Sequence, residues 1–279
     1  MKDFHGKAAF VTGGASGIGF AMARALAEAG ARVMIADIEE KPLADAVASL
    51  KGNLPEVRGV GCDVRYYAAV ERAAKVAIDA FGKVHIVCNN AGVGGSPGVD
   101  NISLNDWRWV IDINLMGVVH GVRALVPHMK SHGEGGHIVN TASMAGMVSM
   151  IGFGAYTATK YAVVGLSEGL SVELAPHNIG VSVLCPGWVS TRIGDSRRNW
   201  PKELGPPPPP MSGPIADMAR EAIRTGLDPN VVAGLVMKAI EDNQLYIFTD
   251  PAMRVWIEKR FERILADYRK LGGAGEATR

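Results

Sequence analysis

Tyr156 and Lys160 stand four residues apart in the stretch Ala155-Tyr-Thr-Ala-Thr-Lys160. On a helix, positions i and i+4 share a face, so the phenol and the ammonium become neighbours. A free tyrosine titrates near ~10, so service as a base near pH ~7 requires a shift of about 3 units, or ~4 kcal/mol. A positive charge ~4 Å away supplies about that much at an effective dielectric of ~20. The pair can therefore generate a phenolate for proton transfer. Two solvated side chains satisfy the same spacing, so the remaining residues must decide between the readings.

A second constellation lies at the other end of the chain. Thr12-Gly-Gly-Ala-Ser-Gly-Ile-Gly19 follows an apolar run and opens a helical one. Its candidate cofactor-facing residues are Gly13, Ser16, Gly17, Ile18 and Gly19, spaced G-x-x-x-G-x-G rather than G-x-G-x-x-G. The glycines allow a tight turn, close backbone approach and close packing of helix on strand. Free N–H groups and the partial positive charge of the helix start suit a pyrophosphate. Asp37 ends the next apolar run, 18 residues after Gly19, where a carboxylate can accept from an adenosine ribose. A helix N-cap is the plainer use of that carboxylate. Asp37 would also repel a 2′-phosphate, by about 1 to 4 kcal/mol per charge pair at ~4 Å. No basic residue stands at Ser16 or Ile38, and Glu39 and Glu40 add acid, so NAD is expected over NADP. Arg32 begins its strand and should point away.

These groups need a scaffold, and the hydropathy pattern supplies one. Strands are expected at residues 8–12, 32–36, 57–62, 84–88, 137–140, 181–184 and 245–248. Helices are expected at 17–29, from there after the second strand to about 50, and at 67–81, about 105–129 and about 153–174. Gly30 and Gly82 end two of them. Continuously apolar strands such as Ile86-Val-Cys88 suit a sheet covered on both faces. Alternating β and α units predict an α/β fold, a Rossmann-type doubly wound parallel sheet of seven strands with helices on both faces. The expected organisation is one dinucleotide-binding catalytic domain over 1–250. Residues 188 to about 230 would form a lid containing the five prolines at 206–210. A C-terminal helix then runs into a disordered tail by 279. Phe261, Leu265 and Tyr268 share one face of it, suited to packing on this subunit or a neighbour.

Composition narrows the function classes. At 279 residues the chain can bury about 75% of its unfolded surface. Charge is balanced, 29 basic against 28 acidic residues, without a basic block, so neither nucleic acid nor a membrane surface is the expected partner. There is no run of 18 apolar residues, so no membrane-spanning helix is expected, and the N-terminus lacks the features of a signal peptide. Cys62, Cys88 and Cys185 end apolar runs, and an odd count without metal spacing predicts reduced core thiols in a cytoplasmic protein. The seven histidines form no zinc motif, so no metal is expected; His132 and His137 read as parts of a solvated glycine-rich turn.

Taken in order, the motifs Thr12–Gly19, Asp63-Val64, Asn89-Asn-Ala-Gly92, Asn114, Ser143, Tyr156 with Lys160, and Pro186-Gly187 followed by Thr191 make the chain resemble a short-chain dehydrogenase/reductase of the short single-domain branch. The match spans about residues 5 to 250. The resemblance implies Tyr156 as general acid/base, Lys160 as the group that lowers its pKa and holds the nicotinamide ribose, and Ser143 as the group that polarises the reacting oxygen. It implies that Asn114 bends its helix and holds a water linking Lys160 to solvent. Asp63 and Val64 would flank the adenine, Asn90, Ala91 and Gly92 would line the cleft beside the ribose, and Pro186, Gly187, Val189 and Thr191 would meet the nicotinamide end. Asn89 may be read simply as a sheet stabiliser and Thr191 as a cap. A homotetramer or dimer joined through about 105–130 and 153–174 is also implied, as is hydride transfer between NAD and a small-molecule secondary alcohol or ketone, without a metal.

The substrate is read from the residues around those motifs. Val93, Gly94, Gly95, Met144, Ala145, Met147, Phe153, Trp188, Ile193, Trp200 and Met211 are the expected pocket wall, and their apolar, aromatic character suits a hydrophobic or aromatic alcohol. Arg192, Arg197 and Arg198 could bind a carboxylate, although solvated lid charges are the plainer reading. Met1-Lys-Asp-Phe4 and Glu241-Asp-Asn-Gln-Leu-Tyr-Ile247 are similar to bacterial Cα-dehydrogenases of lignin-derived aryl ethers; a steroid or aliphatic alcohol dehydrogenase is the alternative. Two other classes compete. A non-catalytic NAD(H) sensor on the same fold is opposed by intact Ser143, Tyr156 and Lys160. A sugar-nucleotide epimerase or dehydratase of the longer branch is opposed by the glycine spacing and the lack of a sizeable C-terminal domain.

Overall fold

The computed structural model describes residues 1–52, 54–95, 99–100, 102–210 and 212–274. Its centre is β1 (Ala8–Thr12), whose residues are all buried. Ala9 and Val11 of β1 pack into one apolar cluster, and Ala8 and Phe10 into another on the opposite face. This is the period-2 alternation of a strand covered on both sides, and it explains why the run contains no polar residue before Thr12.

Around β1 lie β2 (Arg32–Asp37), β3 (Val57–Gly61), β4 (Ile86–Asn89), β5 (Gly136–Thr141), β6 (Ile179–Cys185) and β7 (Tyr246–Phe248). They form one sheet in the order β3-β2-β1-β4-β5-β6-β7, and every pairing is parallel. The seven-stranded doubly wound sheet expected from the pattern is therefore present. The chain leaves β1 toward β2 and β3, then returns to β4 on the other side. That reversal opens a crevice above the carboxyl ends of β1 and β4. At the outer edge, β3 is Val-Arg-Gly-Val-Gly and largely exposed, as an edge strand tolerates.

The first cluster is covered by α1 (Gly17–Glu28), α2 (Glu40–Ser49) and α8 (Pro229–Asp242). Helix α8 fills the stretch between about 230 and the last strand, for which no element was expected. Its boundaries have local causes: the Asp228 carboxylate accepts from Asn230 N at 2.7 Å, Pro229 opens the first turn, and Asn243 closes it in the left-handed region at φ 53°. Val232, Ala233, Val236, Ala239 and Ile240 then form its buried stripe. The second cluster is covered by α3 (Tyr67–Phe81), α5 (Gly117–His132) and α6 (Gly154–Leu174). Helix α4 (Leu104–Ile111) leads into α5. The combined stretch Leu104–His132 has the length and mean hydropathy, 1.4, of a membrane-crossing segment, which the absence of an 18-residue apolar run did not suggest. Half of its most apolar window is buried against the body, as in a core helix.

The lid holds α7 (Pro214–Arg224), and α9 (Arg254–Ala274) ends the described chain. Phe261, Leu265 and Tyr268 of α9 are exposed, so that face does not pack on its own subunit. Arg32 points away from the crevice as expected, donating to Gly6 O at 3.3 Å and stacking over Phe81. Disorder was expected over 272–279; residues 272–274 instead continue α9, while 275–279 lie outside the described residues, as does Met211.

The reading of His137 as part of a solvated turn is corrected. It lies within β5, is 1% exposed, and its Nε2 sits 2.8 Å from Ser182 Oγ. His132 contacts Val84 O through its own Nε2 at 3.0 Å. Burial drives the His137 imidazole down to about 3 and also lowers that of His85. Unfolding would return both to an ordinary value near ~6.5. The folded values lie below the unfolded ones, so this stabilisation is complete above pH ~6.5. It is lost as pH falls, at up to about 1.4 kcal/mol per unit for each histidine. Thermal midpoints followed from pH ~7.5 to ~5 should fall steeply, and less steeply in His137→Gln. Identical slopes in the two proteins would remove His137 from the explanation.

Candidate active site

The crevice is a cleft of about 510 Å³ running from the glycine turn to the base of α9. Gly13, Ser16, Gly17 and Ile18 line one end. Helix α1 starts there with no side-chain cap on its N-terminus and no acid in its first turn. The positive end of the helix thus faces the cleft through backbone N–H groups. Gly13 (φ 61°) and Gly17 (φ 55°) occupy the left-handed region. Gly19 does not line the cleft. A Cβ there would overlap the Gly13 carbonyl and come within 2.5 Å of Asn90 Nδ2, so Gly19 permits helix and turn to close on each other.

The carboxylate of Asp37 holds this turn. It accepts from Ala15 N and from Glu39 N, each at 3.0 Å, and still borders the cleft. A carboxylate has about four acceptor positions, so two remain for a ribose. Asn90 fixes the opposite wall: Nδ2 donates to Thr12 O at 3.1 Å and to Gly13 O at 3.3 Å, while Oδ1 accepts from Thr141 Oγ1 at 3.3 Å. Ala91, Gly92, Val64 and Asp63 continue that wall. Asp63 chelates Arg65, with Nη2 at 2.6 Å from Oδ2. An uncapped helix start, an adjacent acid with spare acceptors and a glycine-lined channel fit a dinucleotide in both shape and polarity.

Tyr156 and Lys160 lie on α6, at the cleft floor, as their spacing requires. The Lys160 ammonium is 5.4 Å from the Tyr156 ring centroid and donates to Thr141 O at 2.8 Å. Ser143 follows β5 and borders the cleft with Tyr156, its Oγ accepting from Ala145 N at 3.1 Å. The electrostatics differ from the sequence expectation. Burial raises the Tyr156 phenol above its ordinary value, and the Ser143 hydrogen bond pulls against it. Burial also pushes the Lys160 ammonium down to about 8. Among the protein's own groups, then, desolvation outweighs the mutual effect of phenol and ammonium.

Asn114 is fully buried in a π-helical segment, Asp112–Met116, between α4 and α5. The resemblance implied a bend at this point; the segment is a widened turn between two α-helices. The Asn114 amide grips both backbone groups of Val93, accepting from N at 2.8 Å and donating to O at 3.0 Å. This locks the loop after β4, and a Cβ on Gly92 would lie 3.4 Å from Asn114 Oδ1 and 3.7 Å from Lys160 Nζ. Asn89 is buried and donates to Asn140 Oδ1 at 2.9 Å, tying β4 to β5. At the far wall stand Pro186, Gly187, Val189 and Thr191. Thr191 rests against Gly17, and its Oγ1 lies 3.4 Å from Ile193 N.

Met144, Ala145, Phe153, Trp188 and Ile193 line the remaining space, together with Val93, Gly94 and Gly95. Two expected members of that wall are elsewhere. Trp200 packs edge-on against Trp109 at 5.0 Å, and Met147 belongs to the core cluster around Val163. In their place stand Met150 from before α6, Ala216, Ala219 and Ile223 of α7, and Met253 and Trp256 from the chain end. No motif marks these residues, because only folding brings 250 and beyond against β6. The segment 193–204 is tied to the body: Glu203 takes Arg65 Nη1 at 2.9 Å and Tyr66 OH at 3.2 Å, Gly94 N donates to Ser196 Oγ at 3.0 Å, and Asn105 reaches Leu204 O at 3.1 Å. Arg198 is not a solvated charge either, since it turns inward onto Glu39. All three cysteines are buried thiols, with Cys62, Cys88 and Cys185 each pushed up to about 12 by desolvation and therefore unreactive. Among the described residues, no group of three or more His, Cys, Asp or Glu could hold a metal ion.

The family model for short chain dehydrogenases matches residues 7–202. The chain belongs to the short-chain dehydrogenase/reductase family. It is 35% identical over 273 residues to a C alpha-dehydrogenase of Sphingobium sp., covering 95% of this chain and 87% of that one. It is 34% identical over 274 residues to a CLA biosynthesis dehydrogenase/reductase of Lactiplantibacillus plantarum, covering 96% of each. Among solved structures, a short-chain dehydrogenase/reductase from Burkholderia phymatum in complex with NAD superimposes with a TM-score of 0.92 at 41% identity, covering 96% of this chain and 97% of that one. The family match ends within the lid, before α7 and α9 add their residues to the cleft.

Proposed function

We propose that this dehydrogenase oxidises hydrophobic or aromatic secondary alcohols with NAD, or reduces the corresponding ketones, using Tyr156 as general acid/base. The carrying observation is the convergence of Ser143, Tyr156 and Lys160 on one cleft, with the Lys160 ammonium against the phenol ring and the glycine turn at the other end. NAD, held by Gly13, Ser16, Gly17, Ile18, Asp37, Asn90 and the 186–191 segment, would supply the hydride acceptor.

Ser143 fixes the substrate oxygen against the Tyr156 hydroxyl. In the oxidising direction Tyr156 takes the alcohol proton; in the reducing direction its neutral phenol, which burial favours, gives one back. Lys160 is held by Thr141 O, so its charge stays beside the phenol and favours the phenolate when the proton moves. Asn114 acts as a positioning residue, since it clamps Val93 and thereby the loop beside Lys160. Met144, Phe153, Trp188 and Ile193, joined by Met150, Met253 and Trp256, give the substrate a dry and aromatic enclosure.

Asp37 favours an unphosphorylated ribose. Buried reduced thiols suit the cytoplasm. The exposed apolar face of α9 suits a homo-oligomer, as do α5 and α6 if the family's usual dimer or tetramer forms. The reading is tested by following reduced-nicotinamide absorbance with NAD and NADP across a panel of aryl and aliphatic secondary alcohols. Turnover with NAD, faster on the aryl or bulkier members, is expected. NADH binding with silence on every alcohol would favour a sensor instead.

A further inference from the structure

The sequence makes the edge of the cleft after β2 acidic, with Asp37, Glu39 and Glu40. The structure adds a guanidinium that lies 159 positions further along. Arg198 belongs to the 3₁₀ segment Ile193–Asn199 of the lid, and it meets Glu39 fork on fork: Nε donates to Oε1 at 2.7 Å and Nη2 to Oε2 at 3.3 Å. Its Nη1 donates to Asp195 O at 2.8 Å and Arg192 O at 3.1 Å, so the head is fixed from both sides. The two side chains are 23% and 15% exposed, and both border the cleft beside Asp37 and Ile38. The arginine holds the Glu39 carboxyl below its ordinary value, consistent with a formed pair. Glu39 in turn is tied to the ribose-side acid, its N donating to Asp37 Oδ1 at 3.0 Å.

A fixed guanidinium fork is the side chain best shaped to take a phosphate through two parallel hydrogen bonds. Glu39 occupies that fork. We propose that Arg198 is a latent receptor for the 2′-phosphate of NADP, masked by Glu39, and that the Glu39–Arg198 pair acts with Asp37 as the determinant of NAD preference. The inference rests on the NAD reading above. It differs from a plain acidic-residue rule: the discrimination lies in which anion, the protein's carboxylate or the cofactor's phosphate, holds one arginine of the lid. The same pair also ties the lid to the cofactor end of the cleft, so that a residue of the substrate cover reports on the cofactor's ribose.

Calorimetric titration of NADH and of NADPH into wild type, Glu39→Gln, Arg198→Met and the double variant separates the possibilities. Glu39→Gln should raise the NADPH affinity relative to that for NADH by about tenfold or more, the scale of one charge-assisted hydrogen bond. The double variant should lose that gain. An unchanged ratio in Glu39→Gln would overturn the proposal, as would a gain that persists in the double variant, since simple relief of repulsion would then suffice. Equal weakening of both cofactors with a lowered thermal midpoint would reduce the pair to a strap and also overturn it. Failure of wild type to bind either cofactor would instead sink the NAD reading itself.

Discussion

Tyr156→Phe should lower kcat by about 10²- to 10⁴-fold, the usual contribution of a positioned acid/base, while leaving NADH affinity within about twofold. The substitution removes one oxygen and keeps the ring. Phe153 packs edge-on against that ring at 6.5 Å and the Lys160 ammonium lies 5.4 Å from its centre, so the local packing persists. What disappears is the proton carrier and the partner of Ser143. Losing a polar group from a buried site also relieves its desolvation, so the thermal midpoint should hold or rise. Rate assays with NAD and the best alcohol, beside calorimetry with NADH, read both halves. A variant retaining more than about a tenth of wild-type turnover would exclude Tyr156 as the general acid/base.

The second large effect is expected from Gly19→Ala. A methyl group there meets the Gly13 carbonyl oxygen of the turn and the Asn90 Nδ2 that clamps the turn from the opposite wall. The obstacle is backbone and cannot rotate aside. Relief requires α1 to move off the turn, which breaks the Asn90 clamp on Thr12 O and Gly13 O. Overpacking of this kind costs about 1 to 3 kcal/mol, and part of it falls on the geometry that binds the pyrophosphate. NADH affinity should drop by about tenfold or more together with a lower thermal midpoint, because each ~1.4 kcal/mol is a factor of ten in affinity. Unchanged NADH affinity would show that the turn tolerates displacement of α1, and that its glycine spacing is not what shapes the site.

The legible part of the molecule was the part written in local signals. Apolar runs marked each of the seven strands, and the motifs that follow four of them marked the ends from which Gly13, Asn90, Ser143 and Pro186 reach the crevice. Helix α8 lies outside the expected elements although Asp228-Pro229 marks its start, a capping signal that hydropathy runs do not carry. The placement of Trp200 could not be read, since its partner Trp109 lies 91 positions earlier and no pattern joins them. His137 was misplaced for a similar reason: glycines nearby suggested a turn, and only its pairing with β6 shows it sealed against Ser182.

The sequence by itself determined the doubly wound α/β class, the family and the set of polar groups able to do the chemistry, because periodicity, glycine turns and i, i+4 spacing are short-range properties of the chain. Tertiary structure alone decided their electrostatic state and their company. Burial, which depends on every packed layer around α6, sets both the Tyr156 phenol and the Lys160 ammonium toward their neutral forms. Folding also carries Arg198 to Glu39, and Met253 and Trp256 to the substrate space. Dielectric environment and long-range proximity are properties of the assembled solid, and no window of residues contains them.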